Sequence, residues 1–382
     1  MPDGFEGVAV VVGDRFSGVD RVLRDACAEE FTGAVARIES HGIVVFERAY
    51  GTTRLDAFAR PVYADTRFDL ASLTKLFVST VALQLVASGR LSLDAPLGGA
   101  TPNASGSLTQ SGGAQHRQSA APIAEWQNRP HAGITLRMLL DHTSGMNSGA
   151  DYRTIANENV ERFALERDLV AAPGERVIYS DLGFIALGVL IERISTCSLA
   201  AAVRNAFPSP SLGYRPRATE RPTIPATEED DWRGRVQGFV HDEKTYLMNG
   251  VAGHAGLFGT ARDVALLTEA YLGPLKGRPN SLLDEALVRE AVREQAYDPV
   301  LRRGLGWALK TSDDNSCGRL MDRASFGHTG FVGTCVWADP VRDLQAVLLT
   351  NSVYFGRSDT RDTRAAFYEA AVEAVEAVEA AR

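Results

Sequence analysis

The strand-forming segments of this 382-residue chain sit near its two ends, and that split restricts the fold more than any other feature. Residues 33–39 and 43–50 are rich in Val, Ile and Phe, and Ser40-His41-Gly42 between them has the chemistry of a short hairpin turn. Four further strand-like runs come late, at 305–309, 325–330, 333–338 and 344–350, with Asp339-Pro340 and Arg342-Asp343 marking the last hairpin. An early hairpin and a late meander form one antiparallel sheet only if everything between them is an insertion.

The intervening chain reads as helical. A run from Asp69 to Ser88-Gly89 is apolar nearly all round (Leu73, Leu76, Phe77, Val78, Val81), as is 184–194, so both helices are expected to be buried. Shorter helices are expected at 134–145, 261–273 and 282–294, an amphipathic one at 18–31, and an Ala-Val-Glu-rich one at 365–381. The stretch 97–133 is small, polar and aperiodic, the signature of a loop or flexible insertion. The predicted class is α+β: an antiparallel sheet flanked by helices, its α/β domain formed by 1–80 and 266–382, with a mainly helical domain at 81–265 inserted.

Ser72 and Lys75 carry the first chemical signal. Residues three apart on a helix share a face, so the Ser72 hydroxyl and the Lys75 amine can meet, giving a nucleophile and its base. Asp69 is the expected N-cap, which puts Ser72 in the first turn, where free N–H groups can receive negative charge. A lysine activates a serine only when partly neutral, and both the positive helix end and burial are expected to lower its pKa. Tyr179-Ser180-Asp181 stands just ahead of the second buried helix, and His328-Thr329-Gly330 lies on a late strand.

Charge and composition narrow the partners. Forty-eight acidic against 40 basic residues, with no long basic run, argue against nucleic acid or an anionic membrane, and favour a small-molecule partner. The apolar run 8–12 is too short for a signal peptide core or a membrane span, which predicts a cytoplasmic protein. Four cysteines without Cys-x-x-Cys spacing indicate neither a disulfide framework nor a zinc site. His241, Asp242 and His254 could be ligands of a metallohydrolase, but their spacing matches no metal motif, and no metal or other cofactor is expected.

Taken in order, Ser72-x-x-Lys75, Tyr179-Ser180-Asp181 and His328-Thr329-Gly330 resemble the serine beta-lactamase and penicillin-binding-protein superfamily, in its class C beta-lactamase and esterase branch. Leu139 to Gly145 is similar to that branch's Leu-Leu-x-His-Thr-Ser-Gly signature, and Val240-His241-Asp242 with 253–258 (Gly-His-Ala-Gly-Leu-Phe) resembles bacterial esterase and amidase members. The resemblance implies Ser72 as acylated nucleophile, Lys75 as its proton partner and Tyr179 as proton shuttle. It implies an oxyanion site between the amides of Ser72 and Phe331, with His328, Thr329, Gly330 and Asp181 around it. Which of Lys75 and Tyr179 takes the first proton is open at this level. His142 is read as tying up a turn, while Trp232, Trp307 and Phe331 line an acyl pocket or simply pack.

Two departures from the beta-lactamase pattern change charge: His328 stands where lysine is usual, and Asp181 where asparagine is usual. Together they predict a site more negative by up to about two charge units, disfavouring carboxylate-bearing beta-lactams. The expected function is therefore a serine hydrolase or acyltransferase taking a small ester or amide, with water, an amine or an alcohol as acceptor. Muropeptide amidase, D-amino-acid peptidase and weak beta-lactamase are the alternatives within the family. A non-catalytic ligand-binding or scaffold homologue is the alternative outside it.

Overall fold

The computed structural model describes residues 14–99, 122–149, 155 and 159–380. Helix α1 (Ser17–Ala26) leads into strands β1 (Gly33–Ser40) and β2 (Ile43–Gly51). The expected helix at 18–31 stops at Ala26 because the chain turns there: Cys27 is extended and Ala28 takes a φ of 73°. His41 and Gly42, with φ of 53° and 72°, are consecutive left-handed residues, the pair a tight hairpin demands.

The inserted chain begins with β3 (Phe68–Asp69) and, after one 3₁₀ turn, α2 (Thr74–Ala87). Four helices follow: α3 (Leu136–Leu140), α4 (Val160–Glu166), α5 (Asp181–Ser195) and α6 (Leu199–Ala206). Short pieces β4 (Gly213–Tyr214), β5 (Glu229–Asp230), β6 (Gly234–Arg235), α7 (Glu243–Leu247) and β7 (Leu257–Gly259) lead to α8 (Ala261–Leu275) and α9 (Glu285–Val292). The meander is β8 (Arg302–Arg303), β9 (Ala308–Leu309), β10 (Phe326–Thr329), β11 (Cys335–Asp339) and β12 (Leu344–Thr350), and α10 (Arg361–Glu379) closes the fold.

The main sheet has seven antiparallel strands in the order β2-β1-β12-β11-β10-β9-β8, so β1 and β12 join the two ends of the chain, with Ala34 opposite Thr350. Alternation along each strand feeds two cores. Ala34, Ala36, Ile38, Ala346 and Leu348 face α1 and α10, whereas Val35, Val347 and Leu349 face α8 and the helical layer. Both faces are covered in the middle of the sheet, so β11 and β12 are buried along their whole length, whereas the edge strand β2 is partly exposed.

The boundaries at 80/81 and 265/266 fall inside α2 and α8. One hydrophobic cluster runs from Val35 and Leu349 in the sheet to Leu187 and Leu190 in α5, because helices that are apolar all round need cover from both sides. The expected loop 97–133 is ordered at its described end: two 3₁₀ turns form, and fully buried Trp126 donates from Nε1 to the Leu165 carbonyl at 2.9 Å. Its residues 100–121 lie outside the described residues. Among the described residues no single helix is long and apolar enough to cross a membrane.

Candidate active site

The nucleophile turn is held from both sides. β3 pairs with β7, Asp69 opposite Phe258. The Asp69 carboxylate accepts the Ala71 amide at 2.8 Å and the His241 amide at 2.7 Å. Asp69 is thus not the N-cap of α2, which starts only at Thr74; it closes a turn that carries the chain into the 3₁₀ segment. Burial raises Asp69 to about 6, against the pull of its two amide partners. Ala71 has a φ of 45°, a left-handed conformation unusual for a residue with a side chain and of the kind that clusters at active sites. Thr334 Oγ1 donates to the Leu70 carbonyl. Gly330 comes so close that an added Cβ would lie 2.9 Å from the Leu70 carbonyl oxygen and 3.3 Å from the Ala71 Cβ.

Ser72 Oγ is contacted twice, by Lys75 Nζ at 3.1 Å and by Tyr179 Oη at 3.0 Å. Lys75 is fully buried, and its three ammonium protons have three acceptors: Ser72 Oγ, Asp181 Oδ1 at 2.9 Å and the His254 carbonyl at 3.3 Å. Burial alone would push its pKa down. Asp181, with Tyr179, more than offsets this, and the pKa rises above that of an ordinary lysine. The expectation of a partly neutral lysine is therefore overturned, because a carboxylate replaces the neutral amide of the usual pattern. Lys75 is a cation poised beside the nucleophile.

Tyr179 is positioned by its backbone neighbours. Ser180 caps α5 by accepting the Gly183 amide at 2.8 Å. His142, itself at a φ of 63°, accepts the Ile178 amide on its carbonyl at 2.8 Å and the Ser180 amide on Nδ1 at 3.2 Å. Its ring lies 4.6 Å from the Tyr179 ring, so His142 ties up the turn that presents the tyrosine. Lys75 Nζ sits 4.7 Å from the centre of that ring and the Arg303 guanidinium 5.3 Å, two cations able to stabilise an anionic oxygen at Tyr179 or Ser72.

Behind Lys75 lies an alternating chain of charge. Asp181 Oδ2 is 3.3 Å from Lys244 Nζ, Lys244 is 3.5 Å from Asp242 Oδ2, and Asp242 Oδ1 is 2.8 Å from His254 Nε2. Asp181 is held below the ordinary carboxylate range although burial opposes it, chiefly by Lys75, and Asp242 well below it, chiefly by His254. Asp181, Asp242 and His254 are close enough to share a cation, but the ammonium groups of Lys75 and Lys244 already stand against both carboxylates. His241 is not part of that group; its amide serves Asp69. The segment reaches Lys75 because Gly253 lies against α5, where an added Cβ would meet the Phe184 carbonyl oxygen at 1.9 Å.

A cavity of about 420 Å³ opens over Ser72 and Tyr179, with His328, Thr329, Gly330 and Phe331 along its wall. Neither the Ser72 nor the Phe331 amide donates to a protein acceptor among the described residues, which leaves both free to receive an oxyanion. His328 Nδ1 lies 2.7 Å from the Thr329 carbonyl and must donate to it, so Nε2 is an unprotonated acceptor with no protein partner. Burial, with Lys75 and Arg303, lowers His328 to about 3 and keeps the ring neutral. Phe331 is 55% exposed at the mouth, between the His241 ring and the Arg357 guanidinium. Trp307 does not reach the cavity: it is buried between Tyr271 and Phe326, in the core. Trp232 packs edge-on against Tyr246, away from the cavity wall.

The predicted negative site is not what forms. Asp181 is matched by two ammonium groups and His328 is neutral; of the three arginines that line the cavity with Asp359, Arg357 is paired with Glu228 and Glu243, while Arg303 and Arg364 have no carboxylate in ion-pair distance among the described residues. Arg303 and Lys244 escaped the motif reading because neither lies in a motif. The signal was available for Arg303: in Arg302-Arg303, entering a strand, alternation obliges one of the two to point inward.

A strained serine turn, an ammonium and a tyrosine on one hydroxyl, and two free amides define a serine hydrolase. The chain belongs to the Beta-lactamase family, whose model matches residues 19–371. It is 29% identical over 378 residues to N-acetylmuramyl-L-alanine amidase of Bacillus subtilis (strain 168), covering 87% of this chain and 80% of that protein. It is 29% identical over 406 residues to esterase EstB of Burkholderia gladioli, covering 94% and 95%. The solved structure of EstCE1, a hydrolase with promiscuous acyltransferase activity, superposes with a TM-score of 0.72 at 19% identity over 94% of this chain and 98% of that one.

Proposed function

We propose that the protein takes the acyl group of a small ester or amide onto Ser72 and passes it to water, or to an amine or alcohol. The observation that carries this reading is the convergence on Ser72 Oγ of Lys75 Nζ at 3.1 Å and Tyr179 Oη at 3.0 Å. The Lys75 ammonium has no lone pair to take the proton of Ser72, so that proton passes to the Tyr179 oxygen as the Tyr179 hydroxyl relays its own toward the leaving group, with Lys75 stabilising the developing negative charge on Ser72 Oγ electrostatically. Ser72 Oγ bonds to the substrate carbonyl carbon, and the oxyanion is received by the amides of Ser72 and Phe331. The proton relayed by Tyr179 reaches the leaving group, whose bond to the carbonyl carbon breaks. The second half repeats these steps with the acceptor as nucleophile.

The neutral His328 Nε2 in the wall accepts a hydrogen bond where the usual lysine would donate one, which favours a substrate or acceptor bearing an N–H or O–H. The names of two relatives, an esterase and an amidase, support the reading that the scissile bond is an ester or an amide. The test is turnover of 4-nitrophenyl esters with and without added amine. Nitrophenol release that Ser72→Ala abolishes, with acyl product partitioning between acid and amide, supports transfer; unchanged acid yield assigns hydrolysis alone. No release by the wild type would refute both.

A further inference from the structure

A second cavity, of about 310 Å³, lies beside the three-stranded sheet β3-β7-β4 and shares no lining residue with the cavity over Ser72. Among the described residues its wall holds four arginines, Arg67, Arg204, Arg215 and Arg217, against one carboxylate, Glu220, in a chain whose net charge is -8. Glu220 is already committed. It accepts the Arg217 amide at 2.7 Å and the Arg217 guanidinium at 3.0 Å, and stands 3.6 Å from Arg67 Nη1. Arg204 and Arg215 have no carboxylate within ion-pair distance among the described residues.

Arg67 is the least exposed of the four. Its side chain is 16% exposed, its Nε is buried without a partner, and its Nη2 reaches the Gly213 carbonyl only at 3.5 Å. A guanidinium drawn out of water with its donors so poorly met is costly unless an anion completes it. The other cations arrive from separate elements: Arg204 from the last turn of α6, and Arg215 from the residue after β4, held at a φ of 51° with its Cγ 3.1 Å from where a Cβ on Gly250 would stand. Guanidinium groups converging from several directions suit a tetrahedral, multiply charged oxyanion such as a phosphate. The buried Val203, Leu212 and Pro216 form the apolar part of the wall, so the space extends beyond a bare phosphate to an attached organic group.

We propose that this cavity binds a phosphate monoester, with Arg67, Arg204 and Arg215 on the phosphate and Val203, Leu212 and Pro216 against the organic group. The site stands apart from the acyl-enzyme reading and does not depend on it. Its occupant ties together the start of β3, the end of α6 and the segment after β4, and β3 runs through Asp69 into the turn that presents Ser72.

Isothermal titration calorimetry of the full chain with phenyl phosphate and with inorganic phosphate, at an ionic strength fixed with sodium chloride, tests it. Phenyl phosphate is expected to bind saturably at one site and more tightly than inorganic phosphate. Arg67→Met should weaken its binding by about tenfold or more. The double variant Arg204→Ala/Arg215→Asn should do the same, and it changes only exposed side chains, so the test stands even where Arg67→Met fails to fold. Arg303→Met, which alters the cavity over Ser72 instead, should bind as the wild type does. No saturable binding, an affinity unchanged in Arg204→Ala/Arg215→Asn, or an affinity lost in Arg303→Met would overturn the proposal. Inorganic phosphate binding as tightly as phenyl phosphate would overturn the monoester and leave a free anion as the occupant.

Discussion

The carboxylate of Asp181 stands 2.9 Å from the ammonium of Lys75, and this ion pair decides the charge state beside the nucleophile. An anion next to an ammonium raises its pKa, so Asp181 keeps Lys75 protonated despite complete burial. Removing the anion must lower that pKa. In Asp181→Asn, which keeps an oxygen acceptor in place, the limb of the kcat/KM–pH profile governed by Lys75 should move to lower pH by about one unit or more. A series of ester rates across pH would show it, and a limb that stays put would separate Lys75 from the titration.

Tyr179 contributes a hydroxyl to Ser72 at 3.0 Å and a ring that His142 and Lys75 pack against. Tyr179→Phe removes the first and keeps the second. kcat for an activated ester should fall by about 10²–10⁴, with the melting temperature little changed. A variant retaining wild-type kcat would move the proton-carrying role elsewhere.

His328 gives acid sensitivity with a definite sign. In the unfolded chain it takes a proton near its ordinary 6.5, whereas in the fold it resists protonation down to about 3. Between those values the unfolded state binds more protons, so the stability contributed by the neutral ring is complete above 6.5 and is lost as the pH falls toward 3. From pH 7.5 to 4.5, the wild type should lose about 2–3 kcal/mol more stability than His328→Asn. Urea unfolding of both proteins at the two pH values measures the difference, and equal losses would show that burial does not hold this ring neutral.

The division between what the sequence disclosed and what it hid follows local against nonlocal chemistry. Ser72, Lys75, Tyr179 and His328 sit in short motifs, and the split of strands between the chain ends implied the β1–β12 junction. Turn residues told where the hairpin closes, as at His41-Gly42. Charge state was not legible, because it depends on what burial brings together: Lys75 with Asp181 across 106 residues, and Lys244 with both Asp181 and Asp242. Trp307 looked like a pocket residue on aromatic character alone, and only the packing of Tyr271 and Phe326 around it shows a core position. Helices buried on all sides belong to no single layer, so one hydrophobic cluster joins the sheet to the inserted helices.

The central claim is that Ser72 is an activated nucleophile, and labelling with a fluorophosphonate followed by intact-mass measurement and peptide mapping tests it most directly. A single adduct on Ser72, absent from Ser72→Ala and slowed in Tyr179→Phe, is the predicted result. No adduct on the wild type, or the same adduct persisting in Ser72→Ala, would contradict it.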